Sequence, residues 1–426
     1  MVKIKNIGIV NILLTLILIT FVIPPPILNP ILLGVLFSFV IIRHFIHKQN
    51  INKNNFNKVS FFFVLYFFVL LLSLFYSQDV ANGIGVIGRS ISFLLIPVIP
   101  LFISKEEINL EFIVKAYIYY LCLIFFYLIF VAIYKNIHEG YTLGYIFDKL
   151  RGGEIENGKY HYINYWYFVY DKFTSPLNIQ PIYLGLFTNL GLIFIFYLKK
   201  IKKIKFYYFF LLILGLLVLL TASRWQILIF AINYFIFIIF FLKLRSYKKI
   251  LLLTSLVSLI LIVSIINPVT RTRLKESIII KENFYKDQFG GTSIRLNKWI
   301  SATKCISNSP MFGYGVGDGK NKLLEQFKKD KFYLGFYNKF NAHNQYLDTL
   351  LYVGVVGLFI LLLIFYYSYK YAINNIYMIL ITNVFSIGFV TESMLNRQWG
   401  IISFSFFLIM FSIFVFKKEN NLENNF

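Results

Sequence analysis

Apolar residues in this chain come in unbroken blocks rather than at helical or strand spacing, and short polar stretches separate the blocks. About twelve blocks stand out: roughly 6–23, 27–43, 59–76, 80–103, 113–134, 179–198, 206–222, 224–242, 250–266, 345–368, 372–390 and 399–416. Most hold the roughly 17–25 residues that a helix needs to cross a bilayer. A spanning segment must satisfy its own backbone groups, so the blocks predict helices. The stretch 206–242 is long enough to cross twice and is broken only at "TASRW". It predicts a helical hairpin with Ser223 or Thr221 capping the returning helix. Two connections, 135–178 and 267–344, are too long to be turns.

Composition agrees with this pattern. The chain is 58% hydrophobic, holds 49 Phe and 31 Tyr, and has 14% charged residues, against about 25% in soluble domains. It reads as an all-α polytopic membrane protein of about twelve transmembrane helices, with residues 1–426 forming a single membrane domain. The first block follows Lys3 and Lys5 as a signal peptide would, but it runs into "PPP" rather than a small-residue cleavage site, which predicts a retained anchor. Lysine and arginine gather in one set of connections ("RHFIHKQNINKNNFNK", "SKEE", "KKIKKIK", "KLRSYKK") and in the tail "FKKEN". The alternate set ("PPPILN", "SQDV", "TASRW", "TESMLNRQWG") is poor in them. Both termini are therefore expected in the cytoplasm, with 135–178 and 267–344 outside. The net charge of +23 is largely this inner-face bias, and its scatter over helix ends does not make a nucleic-acid footprint.

Little metal or redox chemistry is legible. Cys122 lies in a block and Cys305 in an outer loop, with no zinc or redox spacing. His44 and His47 lack a carboxylate or third ligand, no Asp-x-Asp dyad occurs on the outer face, and no Gly-x-Ser-x-Gly elbow is present, so no metal or cofactor is expected. "GYGVGDGK" lacks the full phosphate-loop pattern and is read as a turn cluster, with Gly313, Gly315 and Gly317 offering backbone N–H groups to a substrate at most weakly. Both long loops are rich in Tyr, Phe and Trp, which suits sugar stacking or an interfacial aromatic belt.

Polar residues far apart in sequence converge on the outer face. Arg224 sits at the hairpin tip, as either an interfacial anchor or an anion ligand. Arg295 lies in "GGTSIRLNKWISA", whose spacing allows an amphipathic helix at the membrane surface. Arg89 stands inside a block, where a charge costs roughly 2.5–3.5 kcal/mol and normally faces a polar cavity. Glu392 is its candidate partner, in the same turn as Arg397. His343 opens the tenth block, with Gly354 eleven and Gly357 fourteen residues on. In an uninterrupted helix both glycines fall within roughly 40° of the His343 direction, giving a smooth stripe for a neighbouring helix. Arginine forks beside an imidazole suit a diphosphate and an attacking hydroxyl.

"HNQYLDTLLYVGVVG" resembles the pattern His-[Asn/Ser/Gln]-x9-Gly-x-x-[Gly/Thr/Tyr] of the O-antigen ligase (WaaL) and Wzy-type polymerase superfamily. "TASRW" resembles its Ser-Arg hairpin tip, and the Arg295 stretch its run of Arg, Trp, Pro and paired glycines; the resemblance spans roughly 206–415. It implies a GT-C-like bundle in the bacterial inner membrane, with periplasmic loops over a cavity. Its reaction is an inverting, metal-independent transfer of a glycan from undecaprenyl diphosphate. Arg224 and Arg295 would hold the diphosphate, while His343 would activate the acceptor hydroxyl or position the leaving group. Arg89, Asn344, Glu392 and Arg397 are expected as further substrate-binding residues from their place toward the outer face, not from the resemblance.

Within that resemblance the leading expectation is an O-antigen ligase with lipid A–core as acceptor. The alternative is a polymerase that joins lipid-linked repeats; a protein O-oligosaccharyltransferase comes third. A transporter or lipid flippase is the reading from a different class. It would place its polar residues near the midplane on repeated, interrupted helices, whereas here no repeat is visible and the polar residues collect at one face.

Overall fold

The computed structural model describes residues 8–23, 27–48, 50–139, 155–156, 159–160, 164–241, 245–266, 291–372 and 375–414. Lys3, Lys5, the "PPP" run, most of "RGGEIENGKYHYI", residues 267–290 and the basic tail lie outside them. The described chain is helical apart from a two-residue antiparallel pair, Ile155–Glu156 with Lys159–Tyr160.

In chain order, α1 (Ile9–Thr20), α2 (Leu28–His47), α3 (Lys58–Ser73), α4 (Val80–Ser90) and α5 (Ser92–Val98) open the first of two compact units. The second unit holds α6 (Leu110–His138), α7 (Tyr170–Thr174), α8 (Pro181–Lys200), α9 (Tyr207–Leu220), α10 (Arg224–Phe241) and α11 (Ser246–Ile266). The chain then returns to the first unit with α12 (Gly291–Ser307), α13 (Gly319–Lys329), α14 (Tyr333–Tyr337), α15 (Gln345–Ala372), α16 (Ile376–Gly388) and α17 (Gln398–Phe414). Each predicted block falls on a helix or on a short run of helical turns. Six segments among the described residues are long and apolar enough to cross a membrane: Leu28–His47, Lys58–Tyr76, Val80–Phe102, Leu110–His138, Pro181–Lys200 and Gln345–Ala372. Of the other six expected crossings, five fall on the shorter apolar helices α1, α9, α10, α16 and α17, and the sixth, 250–266, falls on α11.

Local chemistry sets the helix starts. Asn57, Asp79 and Asn375 each turn a side-chain oxygen onto a first-turn N–H, which opens α3, α4 and α16. Pro181 opens α8 at the first helical position, where its missing N–H costs nothing. In the second unit the "TASRW" hairpin forms as expected, with α9 and α10 joined by Thr221–Ser223 and Ala222 held at φ +46°. Ser223 N–H donates to Thr221 Oγ1 at 3.4 Å. Asn189 of α8 donates to the main chain and side chain of Gln226, and Phe196 stacks on Phe237 at 4.0 Å.

The first unit is built on aromatic contacts between α3, α5, α15, α16 and α17. Phe63 stacks on Phe93, Phe389 lies 4.7 Å from Phe404, and Phe365 lies 5.5 Å from Phe389. Residues 291–344 add a second small core in which Ala302, Cys305, Leu323, Phe327, Phe332 and Ala342 close on Leu351 of α15. The described part of the second long loop, 291–344, is therefore a packed cap of three helices. Cys122 and Cys305 are both buried free thiols, as packing residues would be.

The glycine stripe on α15 requires a correction. At Gly354 the backbone takes φ +62°, ψ −161°, which breaks the helix. Carbonyls and N–H groups released by the break are taken up by the 310–315 segment. Tyr314 and Gly315 N–H donate to Leu351 and Tyr352 O at 2.8 and 2.9 Å, and Val355 N–H donates to Pro310 O at 2.9 Å. A Cβ at Gly354 would lie 2.2 Å from Met311 O. The glycine thus admits a strand-like loop, not a neighbouring helix.

The "GYGVGDG" turn is likewise saturated. Gly313 N–H donates to Ser309 O, Gly315 N–H to Tyr352 O, and Gly317 N–H to Ser77 Oγ. Asp318 accepts from the N–H groups of Gln78 and Asp79 at 2.5 and 3.0 Å. Gly315 N–H ties the turn to α15, while Gly317 N–H and the Asp318 carboxylate tie it to the connection between α3 and α4, so none of the three glycine N–H groups is left for a substrate.

Candidate functional site

The segment "NAHNQ" enters α15 through a cap. Asn344 Oδ1 accepts from Tyr346 and Leu347 N–H at 3.0 and 3.2 Å, which leaves His343 just outside the helix in a left-handed conformation, φ +47°. That backbone costs about 1–3 kcal/mol for a residue that is not glycine. It is held from both sides: His343 N–H donates to Asn341 Oδ1 at 3.1 Å, and Ala342 N–H donates to Asp348 Oδ1 at 3.2 Å.

A second turn, between α16 and α17, is stitched onto this entry. Gln345 N–H donates to Phe389 O, Gln345 Oε1 accepts from Leu395 N–H at 2.7 Å, and Asn344 N–H donates to Ser393 Oγ. Asp348 Oδ2 accepts from Asn396 Nδ2 at 2.7 Å. The buried Asp348 carboxylate therefore holds one residue beside His343 and another in the Glu392 turn. With the turns locked, His343 Nδ1 lies 3.2 Å from Glu392 Oε2.

Burial would raise the Glu392 carboxyl, but the His343 imidazole, and then the Arg397 and Arg295 guanidiniums, hold it below its ordinary value. An ionised carboxylate at that distance takes an Nδ1–H, which assigns the tautomer and leaves Nε2 as an acceptor. The His343 side chain is 29% exposed and so can be reached, whereas that of Glu392 is 7% exposed. Phe340 presents its ring at 87° to the imidazole, 6.2 Å away.

Helix α12 brings cations to the pair. Arg295 is half-buried and acts on Glu392. One turn on, Lys298 is buried, with Nζ 3.8 Å from the centre of the Phe340 ring. Burial lowers the Lys298 ammonium to about 7; Glu392 and Asp348 oppose the shift and Arg295 adds to it. The sequence reading missed Lys298 and Asp348. The signal for Lys298 was its place three residues after Arg295, on the same helical face.

The other expected site residues are distributed as follows. Asn344 spends its side-chain oxygen on the cap. Arg397 is exposed in the Glu392 turn. Arg89 is exposed in the last turn of α4, and the pairing proposed for it is corrected: Glu392 faces His343 instead. Arg224 is the half-buried first residue of α10, in the second unit.

A bundle of apolar helices with an imidazole–carboxylate pair beside guanidiniums defines a multi-pass membrane protein with acid–base capacity at one site. A family model described as O-antigen ligase matches residues 209–362, a stretch that runs from α9 into α15 and contains Arg224, Arg295, His343, Gly354 and Gly357. The match is consistent with the O-antigen ligase and Wzy-type polymerase superfamily, whose members are glycosyltransferase-like enzymes of O-antigen processing. No curated protein matches the chain.

Proposed function

We propose that this protein is an O-antigen ligase that moves a glycan from undecaprenyl diphosphate to lipid A–core. It would act at the periplasmic face of the bacterial inner membrane, in a GT-C-like bundle of twelve crossings with both termini cytoplasmic. The observation that carries the reading is the His343–Glu392 pair beside Arg295, inside a segment matched by the O-antigen ligase family.

In this mechanism an acceptor hydroxyl gives its proton to His343 Nε2 while its oxygen attacks the anomeric carbon. The bond from that carbon to the diphosphate oxygen breaks, the electron pair leaves with the diphosphate, and the anomeric configuration inverts. Glu392 holds the imidazole in the accepting tautomer and stabilises the imidazolium that forms. Arg295 and Arg397 stabilise the departing diphosphate, so no metal takes part. Arg224 keeps the diphosphate-binding role that the resemblance implies. Arg89 and Asn344 are further substrate contacts.

The family match is shared with the polymerases, and the same chemistry with a second lipid-linked repeat as acceptor would extend the chain. The test is an assay in detergent with EDTA present, using an undecaprenyl diphosphate-linked oligosaccharide as donor. Transfer to lipid A–core that is lost in His343→Ala and Arg295→Ala supports the ligase, and growth on a second lipid-linked repeat makes the protein a polymerase. Movement of the donor across vesicles with no transfer to either acceptor refutes the enzyme reading in favour of a transporter.

A further inference from the structure

Lys298 stands out among the charged groups of the first unit. The residue is 4% exposed, and no hydrogen bond or ion pair takes up its Nζ among the described residues. Asp348, the buried carboxylate of α15, is already engaged by Ala342 and Asn396. Glu392 is engaged by His343. Just after α13, Asp330 accepts from Ser301 and Lys304, one and two turns further along α12. The Phe340 ring face covers one side of Nζ, and the same ring stands against His343. A buried ammonium whose neighbouring carboxylates, Glu392 and Asp348, are engaged by other groups is costly unless something completes it.

We propose that Lys298 is a further cation of the donor site and that the anion completing it is the diphosphate of the lipid-linked glycan. The proposal rests on the reading that the donor is a prenyl diphosphate. Arg295, one turn earlier on the same face, is a permanently charged fork; Lys298 is a point charge that changes state. Empty, the site keeps the amine near its midpoint at neutral pH, because burial and Arg295 disfavour the charge more than Glu392 and Asp348 restore it. An arriving dianion favours the ammonium, so binding draws a proton onto Nζ from solvent. Donor affinity therefore falls as pH rises above about 7, because each binding event must then recruit that proton.

The test is calorimetry of intact protein in detergent with farnesyl diphosphate as probe, run in two buffers of different ionisation enthalpy. At pH 8 wild type should take up about one proton on binding, and at pH 6 far less. Lys298→Met should weaken binding about tenfold or more, a loss ordinary for one charge-assisted contact. Lys298→Arg should bind without proton uptake and with a flatter pH dependence. If Lys298→Met does not fold, as judged by gel filtration, wild type against Lys298→Arg decides alone.

Uptake that persists in Lys298→Arg and vanishes in His343→Gln would assign the proton to the imidazole and overturn the proposal. So would equal binding by wild type and Lys298→Met, while the diphosphate reading stands. Uptake with phosphatidylglycerol but not with farnesyl diphosphate would assign Lys298 to a lipid headgroup, which also overturns it. No binding of farnesyl diphosphate to wild type, with His343 and Arg295 intact, would instead sink the donor reading itself.

Discussion

His343 Nδ1 lies 3.2 Å from Glu392 Oε2, and the two residues reach each other from turns nearly fifty positions apart. Neither turn is free to drift, because Asn344, Gln345 and Asp348 on one side bind Ser393, Leu395 and Asn396 on the other. The carboxylate serves the imidazole by fixing which nitrogen carries the proton. Glu392→Gln keeps the shape, but its amide can present an N–H to Nδ1 and favour the wrong tautomer. Transfer should slow by about 10²–10⁴-fold with little change in donor KM. Single-turnover transfer from a lipid-linked donor measures this, and an unchanged rate would remove Glu392 from the chemistry.

The same carboxyl makes a prediction about acid. Its folded-state acidity is strengthened despite burial, by His343 first and then by Arg397 and Arg295. A carboxyl with a lowered folded value contributes stability above its unfolded value and loses it as pH falls through the folded one. Glu392 should therefore stabilise the protein at neutral pH, and that contribution should vanish below the usual carboxylate range. Melting in detergent from pH 7 down to pH 3 should show a shallower decline for Glu392→Gln than for wild type. Parallel curves would mean that the pair does not contribute to stability.

Arg295 is expected to act on the diphosphate through its planar fork. Arg295→Ala should lower kcat/KM by about 10–100-fold, and Arg295→Lys should recover only part of it, since an ammonium cannot make two parallel bonds. Full recovery with lysine would mean that only charge matters there.

The helices were legible because unbroken apolar blocks of spanning length must satisfy their own backbone groups, and some of them open on residues that start a helix, as Asn57, Asp79 and Pro181 do. The hairpin at "TASRW" and the placing of His343 at the start of a helix were legible for the same reason. The break at Gly354 was not. A spacing of eleven and fourteen residues predicts one face only if the helix continues, and apolar composition does not distinguish a continuous helix from one broken to receive a loop. The partner of Glu392 was also hidden. Topology brings Arg89, Arg397 and His343 toward one end alike, and only the stitching of the 341–345 and 389–396 turns selects the imidazole. Lys298 was overlooked because a lysine on an amphipathic surface helix reads as solvated, whereas here it is buried against Phe340.

Gly354→Ala tests the break directly. The conformation at φ +62°, ψ −161° is essentially reserved for glycine, and the added carbon would meet the Met311 carbonyl at 2.2 Å. Strain alone predicts a loss of about 1–3 kcal/mol, with the collision adding to it. A lower melting temperature in detergent, with increased proteolysis between residues 308 and 318, is the expected result. Wild-type melting would mean that the helix can run straight through this point.

Asp348 carries the last prediction, because it holds the pair without touching either member. Its two oxygens take Ala342 N–H and Asn396 Nδ2, and it is 1% exposed. Asp348→Ala leaves the buried Ala342 N–H and the half-buried Asn396 amide without their acceptor, at a cost of about 1–3 kcal/mol for the buried one. It also removes the bracket that keeps His343 in a left-handed backbone facing Glu392. Asp348→Asn retains an acceptor for one donor and should lie between Ala and wild type in both stability and rate. The informative comparison is between kcat and KM. A positioning residue should lower kcat while leaving donor KM near wild type, since the proposed contact of Arg295 with the diphosphate would be untouched. A rise in KM with kcat unchanged would place Asp348 in substrate binding instead, and would mean that the 341–345 turn holds His343 without its help.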